Sequence, residues 1–138
     1  MIGTNPAFDQ FLSDHRWAVV ITLRKDGSAS SSVNAYARDG DTLIVSTSRT
    51  RLKVKTLERD PRITLCVLTD AVPFNFVSVE GTATIEYLED GIVETTRKLF
   101  ANIQDAGYKE PDDLEDWLKR DNRVIIRVHP ERVSGVIR

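Results

Sequence analysis

The fold of this protein depends on the stretch LIVSTSRTRLKVKTLERDPRITLCVL, residues 43–68. Each end of it is an apolar, β-prone run, which is typical of a buried strand. Between these runs Val54 and Leu57 stand three apart, and this spacing predicts a short helix with one buried side. The residue before Pro61 is disfavoured in helical conformation, so we expect the helix to end at Arg59. The stretch therefore predicts a strand, a basic helix and a second strand.

The charges of this helix break a local rule. Arg49, Arg51 and Lys53 crowd its beginning, where the helix dipole disfavours cations. Ser48 or Thr50 is the expected N-cap, because a hydroxyl can accept from a free amide of the first turn. A bound anion would resolve the conflict, since helix N-terminal amides and basic side chains both attract phosphate. The alternative is a solvated basic face on a surface helix, and charge by itself favours that alternative.

Length and composition indicate the class of protein. We expect 138 residues to form one domain, 1–138, and the net charge of −2 gives no general attraction to nucleic acid or acidic membranes. The one cysteine, Cys66, lies in an apolar run and is interpreted as a buried hydrophobic residue. No apolar run approaches the length of a membrane span and no signal-peptide pattern is present, so a cytoplasmic location is expected.

Apolar periodicity and turn residues predict the remaining elements. Further helices are expected over 6–14, 89–103 and 112–119. Strands are expected over 17–23, 28–37, 42–47, 62–69, 74–87, 123–129 and 133–137, with a loop over 70–73. Gly81 is expected to bend or bulge its strand. Short antiparallel strands with helices at the junctions predict a mainly β protein, a closed or nearly closed antiparallel barrel.

The second predicted strand is unusually polar. It contains Ser30, Ser31, Ser32 and Asn34, and alternation along a strand cannot turn all four side chains away from one face. The strand is therefore either part of a surface lined with hydrogen-bonding groups or a polar edge strand facing water. The sequence favours neither alternative.

Familiar catalytic patterns are absent from the sequence. It contains no GxSxG, HExxH or CxxC pattern, no glycine-rich phosphate loop and no metal-ligand spacing. His15 and His129 lie far apart and are interpreted as structural. An enzyme with this sequence would therefore depend on a bound organic cofactor.

Three segments in order, TLRKDGSASSSVNAY, the stretch from Asp41 to Leu68, and FVSVEGTATI, resemble the pyridoxamine-5′-phosphate-oxidase-like superfamily. The DPR element after the basic helix and the VEGTA segment carry this resemblance. The closest resemblance is to the small deazaflavin-dependent branch, whose members use coenzyme F420. The resemblance implies an FMN-binding-protein-like split β-barrel and a homodimer with two cofactor sites at the subunit interface.

The resemblance also implies which residues hold the cofactor phosphate. Arg51 and Lys53 correspond to the basic pair at the beginning of the helix. Ser46, Thr47 and Ser48 correspond to the turn that lends hydroxyls and amides to the same phosphate. A phosphate at this place would explain why cations crowd a helix N-terminus.

Other residues are implied to contact the cofactor ring. The strand beneath it corresponds to Ser32, Val33, Asn34 and Ala35, with Asn34 the best polar candidate. Phe74 corresponds to the segment that reaches over from the partner chain.

The expected function is transfer of a hydride from reduced F420 to an unsaturated small molecule such as a quinone, an enone or a tetrapyrrole. No catalytic acid is identified, and no nucleic-acid or membrane partner is expected. The alternatives are an FMN oxidoreductase of the same fold and a non-catalytic cofactor- or haem-binding protein. Arg49 and Lys55 favour F420, whose acidic tail is longer than that of FMN. The last residues, VHPERVSGVIR, lack the substrate-binding Arg and His of true oxidases, so oxidation of a vitamin B6 phosphate is not expected.

Overall fold

A computed structural model of the protein describes residues 1–69 and 74–138. The predicted loop 70–73 lies outside the described residues. The helices are α1 (Pro6–Asp14), α2 (Leu52–Arg59), α3 (Val93–Ile103) and α4 (Leu114–Arg120), with single 3₁₀ turns at Leu88–Asp90 and Gln104–Ala106. The strands are β1 (Trp17–Leu23), β2 (Ala29–Ala35), β3 (Ala37–Asp39), β4 (Thr42–Ser48), β5 (Arg62–Leu68), β6 (Phe76–Glu86) and β7 (Arg123–Val136). None of the described helices is long and apolar enough to cross a membrane.

The seven strands form one antiparallel sheet in the order β2-β1-β5-β6-β7-β4-β3. The two edge strands, β2 and β3, are separated in the chain by Tyr36 alone. The sheet must therefore curl until its edges approach each other, which is how a half-barrel forms from an open sheet. The predicted mainly β, antiparallel barrel architecture is confirmed.

One face of the curled sheet encloses the main core. The buried strand residues of that face are Ala18, Val20, Leu43, Val45, Ile63, Leu65, Val67, Val77, Val79, Ala83, Val124, Ile126 and Val128. Phe11 and Leu12 of α1 and Val54 and Leu57 of α2 pack against them, so the predicted buried side of the basic helix is confirmed. Each fully buried Leu or Ile contributes about 2 kcal/mol of hydrophobic stabilisation. Helix α2 is thus fixed to the barrel by its apolar side, and its basic side faces outward.

A second, smaller core covers the outer face of β4 and β7. Ile44 and Ile125 lie on that face and pack beneath Leu99 of α3 and Leu118 of α4. Helix α4 is therefore held against the barrel wall directly beside the first residues of β7.

Gly81 lies where the long strands change register. Glu80 pairs with Arg132 but Gly81 pairs with Pro130, so Glu131 is the extra residue of a bulge. A Cβ atom at Gly81 would lie 2.0 Å from the carbonyl oxygen of His129, which only glycine avoids. The predicted irregularity at this glycine is confirmed.

Three predicted boundaries were wrong. The strands expected over 123–129 and 133–137 are one strand, because β6 pairs with β7 on both sides of the bulge. The strand expected over 28–37 ends at Ala35, and Tyr36 turns into the interior, where its hydroxyl donates to the carbonyl of Leu12 at 2.6 Å. The helix expected over 89–103 is interrupted at Gly91, whose φ of +79° is left-handed.

Candidate anion site

The basic helix begins without a side-chain cap. Its N-cap residue is Arg51, and no side chain accepts a hydrogen bond from its first turn. The expected caps are used elsewhere: the Ser48 hydroxyl donates to the carbonyl of Asp121 at 3.0 Å, and Thr50 contacts Ser48 at 3.2 Å. The prediction of a Ser48 or Thr50 cap was therefore wrong. The amides of Arg51 and Val54 donate to the carbonyls of Ser48 and Arg51, each at 3.1 Å, so within the described residues the amides of Leu52 and Lys53 are the ones left for an anion.

Three cations converge at this helix end. Lys53 lies in the first turn of α2 and is only partly exposed. Burial lowers the pKa of its ammonium, and the nearby positive charges of Arg51 and Arg123 lower that pKa further. No carboxylate of the described residues forms an ion pair with Arg51 or Lys53. Three cations that repel one another, of which only Arg123 has an ion-pair partner among residues 1–69 and 74–138, indicate an anion-binding site.

Arg123 opens β7 and reaches across to β4. Its Nε and Nη2 atoms donate to the Ser46 hydroxyl oxygen at 3.3 and 3.1 Å. Its Nη1 atom pairs with Asp121 at 2.9 Å, and its guanidinium lies over the Trp117 ring at 4.6 Å. The guanidinium is thus held on several sides, with its charge directed toward the site.

The three residues of the predicted phosphate turn do not lie together. Ser46 and Ser48 share the outer face of β4 with Arg123, because Ser48 pairs with Arg123 across the strands. Thr47 points to the opposite side, pairs with Val124 of the main core and is 4% exposed. Alternation along β4 therefore brings the Ser46 and Ser48 hydroxyls to the cations and leaves only the backbone of Thr47 near them.

Arg49 is the fourth cation near the helix. Its guanidinium lies 4.5 Å above the Tyr87 ring, and the Tyr87 hydroxyl donates to Glu58 at 2.9 Å. Its backbone amide donates to the carbonyl of Asn122 at 2.8 Å. Arg49 is therefore attached to the 3₁₀ turn after β6 and borders the anion site.

The predicted ring contacts lie on both sides of β2. Ser32 and Asn34 pair with Val20 and Ala18, so their side chains turn toward the interior side, where the Ser32 hydroxyl donates to Asn34 at 3.4 Å. Ala35 lies on the outer side, opposite Trp17. Strand β2 is an edge of the described sheet, as the alternative of a polar edge strand predicted.

Apolar side chains are exposed on the outer side of β2, β1 and β5. Val33, Trp17 and Leu68 are 71%, 36% and 39% exposed. Trp17 lies opposite Leu68, and Val33 lies opposite Val19, on the same side of the sheet and diagonal to Trp17. Phe74, just before β6, is 72% exposed and has a left-handed φ of +65°, which is unusual for a bulky residue. A continuous exposed patch of this kind is typical of a protein–protein interface.

A groove of about 710 Å³ continues this outer side toward the bulge. Ile21, Thr64, Glu80 and Arg132 line it, and each is the cross-strand neighbour of the next. Cys66 lies between the groove and the apolar patch, only partly buried, and burial raises the pKa of its thiol. The interpretation of Cys66 as a buried hydrophobic residue was therefore wrong as to its burial, which is only partial.

The sequence did not predict Arg123 and Trp117 as parts of the site. They lie more than 50 residues after the basic helix and reach it because β4 pairs with β7 and α4 packs on the outer face of these two strands. The available signal was an arginine at the first position of an otherwise apolar strand, directly after a helix that carries a tryptophan.

Comparison with known proteins identifies the architecture. The sequence model of the pyridoxamine 5′-phosphate oxidase family matches residues 4–137. An F420 reductase superposes with a TM-score of 0.74 at 22% identity, over 95% of this chain and 98% of its own. A FAD-binding protein from Mesorhizobium loti gives 0.73 at 18%, over 96% and 94%. A haem storage protein from Vibrio cholerae gives 0.68 at 14%, over 96% and 93%. At these identities the structures share the fold, and the resemblance to the split-barrel superfamily is confirmed.

Proposed function

The chain belongs to the pyridoxamine 5′-phosphate oxidase family, and from this premise we propose that it is an oxidoreductase that uses coenzyme F420. One observation carries the proposal: Arg51, Lys53 and Arg123 meet at an uncapped helix end, and Lys53 has a lowered pKa. A phosphate at this place would neutralise the cations and accept hydrogen bonds from the helix amides. The F420 reductase of the same fold supports this choice of cofactor.

The chain's own residues would bind the cofactor in two parts. Arg51 and Lys53 would hold its phosphate, and the Ser46 hydroxyl would donate a further hydrogen bond to it. The ring would lie along the outer side of β2, where the small side chain of Ala35 leaves room for a flat group. Because β2 is an edge strand of the described sheet, its backbone offers open donors and acceptors to the ring's polar rim. Ser32 and Asn34 would keep that segment of backbone in place from the interior side.

When bound, the reduced deazaflavin supplies a hydride to an unsaturated acceptor such as a quinone, an enone or a tetrapyrrole. The protein's part is to bind the cofactor, to orient its ring and to exclude water from the acceptor. Exposed apolar residues beside Ala35, namely Val33 and Trp17, would form one wall of the acceptor pocket.

A homodimer would complete the site. The apolar patch of Trp17, Val33 and Leu68 would be buried against a second copy, and Phe74 would reach toward the partner's cofactor. Two such sites would lie at the interface. The substitution Val33→Asp should therefore yield monomers by light scattering, while Ala101→Asp, on the exposed side of α3, should leave the dimer intact. A wild-type protein that is monomeric at micromolar concentration would contradict the dimer.

The cofactor is tested by titration with F420 and with FMN, following the fluorescence of each. Wild type should bind F420 more tightly than FMN, because Arg51 and Lys53 are joined by Arg49 and Lys55 for the longer acidic tail. Preferential binding of FMN would favour a flavin enzyme, a cofactor class that the FAD-binding neighbour also represents. Haem binding without hydride transfer would favour a non-catalytic function. Binding of neither F420 nor FMN would overturn the proposal.

Substitution of Arg51 and Lys53 tests whether the bound cofactor lies at the anion site. Arg51→Ala with Lys53→Ala should weaken F420 binding by about a hundredfold, since each charge-assisted hydrogen bond contributes about 1.5 kcal/mol. The matched control removes two exposed cations elsewhere, Lys25→Ala with Lys119→Ala, and changes the net charge equally. An equal loss of F420 affinity in both double variants would indicate general electrostatic attraction rather than specific binding of the phosphate by Arg51 and Lys53.

A further inference from the structure

We propose that Arg123 is the positioning residue of the anion site: it occupies the accepting side of the buried Ser46 hydroxyl, which leaves that hydroxyl its proton to donate, and it holds a third positive charge beside Lys53. The inference rests on the proposed function for the identity of the natural anion, but the geometry that carries it concerns residues of β4, β7 and α4. Arg123 would act through Ser46 and Lys53 rather than replace them.

The hydrogen bonds determine the direction of the Ser46 hydroxyl. A serine hydroxyl has one proton to donate and two lone pairs that accept. Arg123 donates to the Ser46 oxygen from two nitrogens, so the lone pairs are occupied and the proton must point away from the guanidinium. No acceptor for that proton occurs among residues 1–69 and 74–138. Ser46 therefore presents a donor, as a site for a phosphate oxygen requires.

Ser48 differs from Ser46 in this respect. The Ser48 hydroxyl donates its proton to the carbonyl of Asp121, and Thr50 contacts the same oxygen. Its one proton is used within the protein, so it has none for a ligand. Of the two serines on the outer face of β4, Ser46 is the one prepared to donate to an anion.

The position of Arg123 is itself supported. Trp117 lies beneath the guanidinium and Asp121 holds one of its nitrogens, and both belong to α4 or its C-terminal turn. Leu118 and Leu114 fix α4 to the barrel in the second core. Arg123 is consequently partly buried, with its side chain 21% exposed. Its planar guanidinium group therefore has little freedom to turn away from Ser46.

The electrostatic part of the inference concerns Lys53. The charged groups that act on its ammonium are Arg51 on its own helix and Arg123 on β7, and Asp121 lies on the far side of Arg123. Both cations favour the neutral amine and so oppose protonation in the free site. An incoming anion relieves this repulsion, which makes the site more attractive for phosphate than for a neutral ligand.

The decisive experiment compares wild type with Arg123→Ala in two measurements. Binding of inorganic phosphate and of F420 is followed by isothermal titration, and the pKa of Lys53 in the free protein is followed by NMR of its side-chain Cε. Phosphate binding should weaken by about tenfold, because a charge-assisted network is lost. The pKa of Lys53 should rise, because one of its two repelling neighbours is gone. Greater exposure of Lys53 to water would raise the same pKa, so a charge-keeping variant is needed to distinguish the two causes.

Further variants separate the two effects. Arg123→Lys should keep the lowered pKa of Lys53 but lose the two-pronged contact with Ser46. In a double-mutant cycle, Ser46→Ala should cost affinity in wild type and almost nothing in Arg123→Ala. Arg120→Ala, which removes an exposed arginine at the end of α4, serves as the control and should change neither measurement. Should Arg123→Ala fail to fold, Arg123→Gln, which also removes the charge, carries the same two measurements.

The outcomes distinguish this inference from the proposed function. Phosphate binding that depends on Arg123, without binding of F420 or FMN, would retain the inference and overturn the proposed function. Unchanged phosphate binding and an unchanged Lys53 pKa in Arg123→Ala, with F420 still bound, would overturn the inference alone. A wild-type protein that binds neither phosphate nor cofactor would overturn both.

Discussion

Two charged clusters on the outer face of β7 are four residues apart and differ in how their charges are balanced. Around Arg127, every charge has a partner: Asp39 receives both Arg127 at 2.8 Å and Lys98 at 2.7 Å, and Glu86 pairs with Arg127 from the other side. Around Arg123, Asp121 is the one carboxylate among the described residues that opposes three cations. The same strand therefore carries one cluster whose charges are balanced and one that has more cations than carboxylates.

The balance of charge in each cluster indicates whether its residues serve stability or binding. A balanced cluster stabilises the native state, because removal of any member leaves a partly buried charge unpaired. An unbalanced cluster costs stability in the free protein, and it is retained where a ligand supplies the missing charge. Arg127 should therefore behave as a stability residue, whereas Arg51, Lys53 and Arg123 should behave as binding residues.

The largest expected effect tests the balanced cluster. Arg127→Ala should lower the free energy of unfolding by about 3 kcal/mol, since it leaves Asp39 and Glu86 without their shared cation. Urea unfolding at neutral pH measures this loss, and F420 binding should not change in the folded fraction. As a control, Arg97→Ala on the exposed side of α3 should leave the unfolding curve in place. A loss of F420 affinity in Arg127→Ala as large as in Lys53→Ala would break the comparison.

The next effect concerns pH. The hydrogen bond from Lys98, and then that from Arg127, hold the pKa of Asp39 below its ordinary value of 3.8. Its stabilising contribution is therefore fully present above about pH 4 and is lost as pH falls through the lowered pKa. Asp39→Asn should lower the free energy of unfolding by about 1.5 kcal/mol at pH 7. The difference from wild type should shrink on acidification, and a difference that stays constant to pH 2 would argue against the ion pairs.

A smaller effect should have opposite consequences for stability and binding. Arg51→Asp places a capping carboxylate at the uncapped end of α2 and should raise the free energy of unfolding by about 1 kcal/mol. The same carboxylate occupies the place of the anion, so F420 binding should fall sharply. Arg51→Ala separates the two effects, because it should weaken binding without the gain in stability. If Arg51→Asp lowered both quantities, the helix end would not be an anion site.

The smallest effect isolates Lys53. Lys53→Met keeps the length of the side chain and removes the repelled ammonium, so the free energy of unfolding at pH 7 should rise by about 0.5 kcal/mol. Since the native pKa of Lys53 lies below the ordinary 10.5, the penalty in wild type is complete below the native value and disappears as pH rises toward 10.5. The two proteins should thus approach equal stability at alkaline pH. As a control, Lys55→Met, at an exposed position of the same helix, should leave the free energy of unfolding at pH 7 almost unchanged.

Much of the architecture could be predicted from local patterns. Val54 and Leu57 predicted the buried side of α2, and alternation predicted six strand positions within a few residues. Gly81 marked the bulge because only a residue without a side chain allows the backbone of β7 to approach so closely. The errors lie where a local signal competed with the barrel: Tyr36 leaves the strand to reach the carbonyl of Leu12, a partner distant in the sequence.

The site could be predicted only in part. The unusual crowding of Arg51 and Lys53 at a helix N-terminus was visible as a conflict with the helix dipole. Whether Ser46, Thr47 or Ser48 faced those cations depended on which residues of β4 point to the outer face of the sheet. A run of three hydroxyl residues does not reveal this. Likewise Ser32, Asn34 and Ala35 are consecutive or nearly so, yet the pairing with β1 sends their side chains to different sides.

The amino-acid sequence alone determined that a basic helix lies between two buried strands and that an anion would relieve its charges. These features depend on spacing and on the chemistry of neighbouring residues, which are local properties. Only the tertiary structure decided that Arg123 joins them and that Arg127, four residues further on, does not. That choice depends on strand register and on helix packing between segments more than 60 residues apart, where one step along β7 changes which partners a guanidinium can reach.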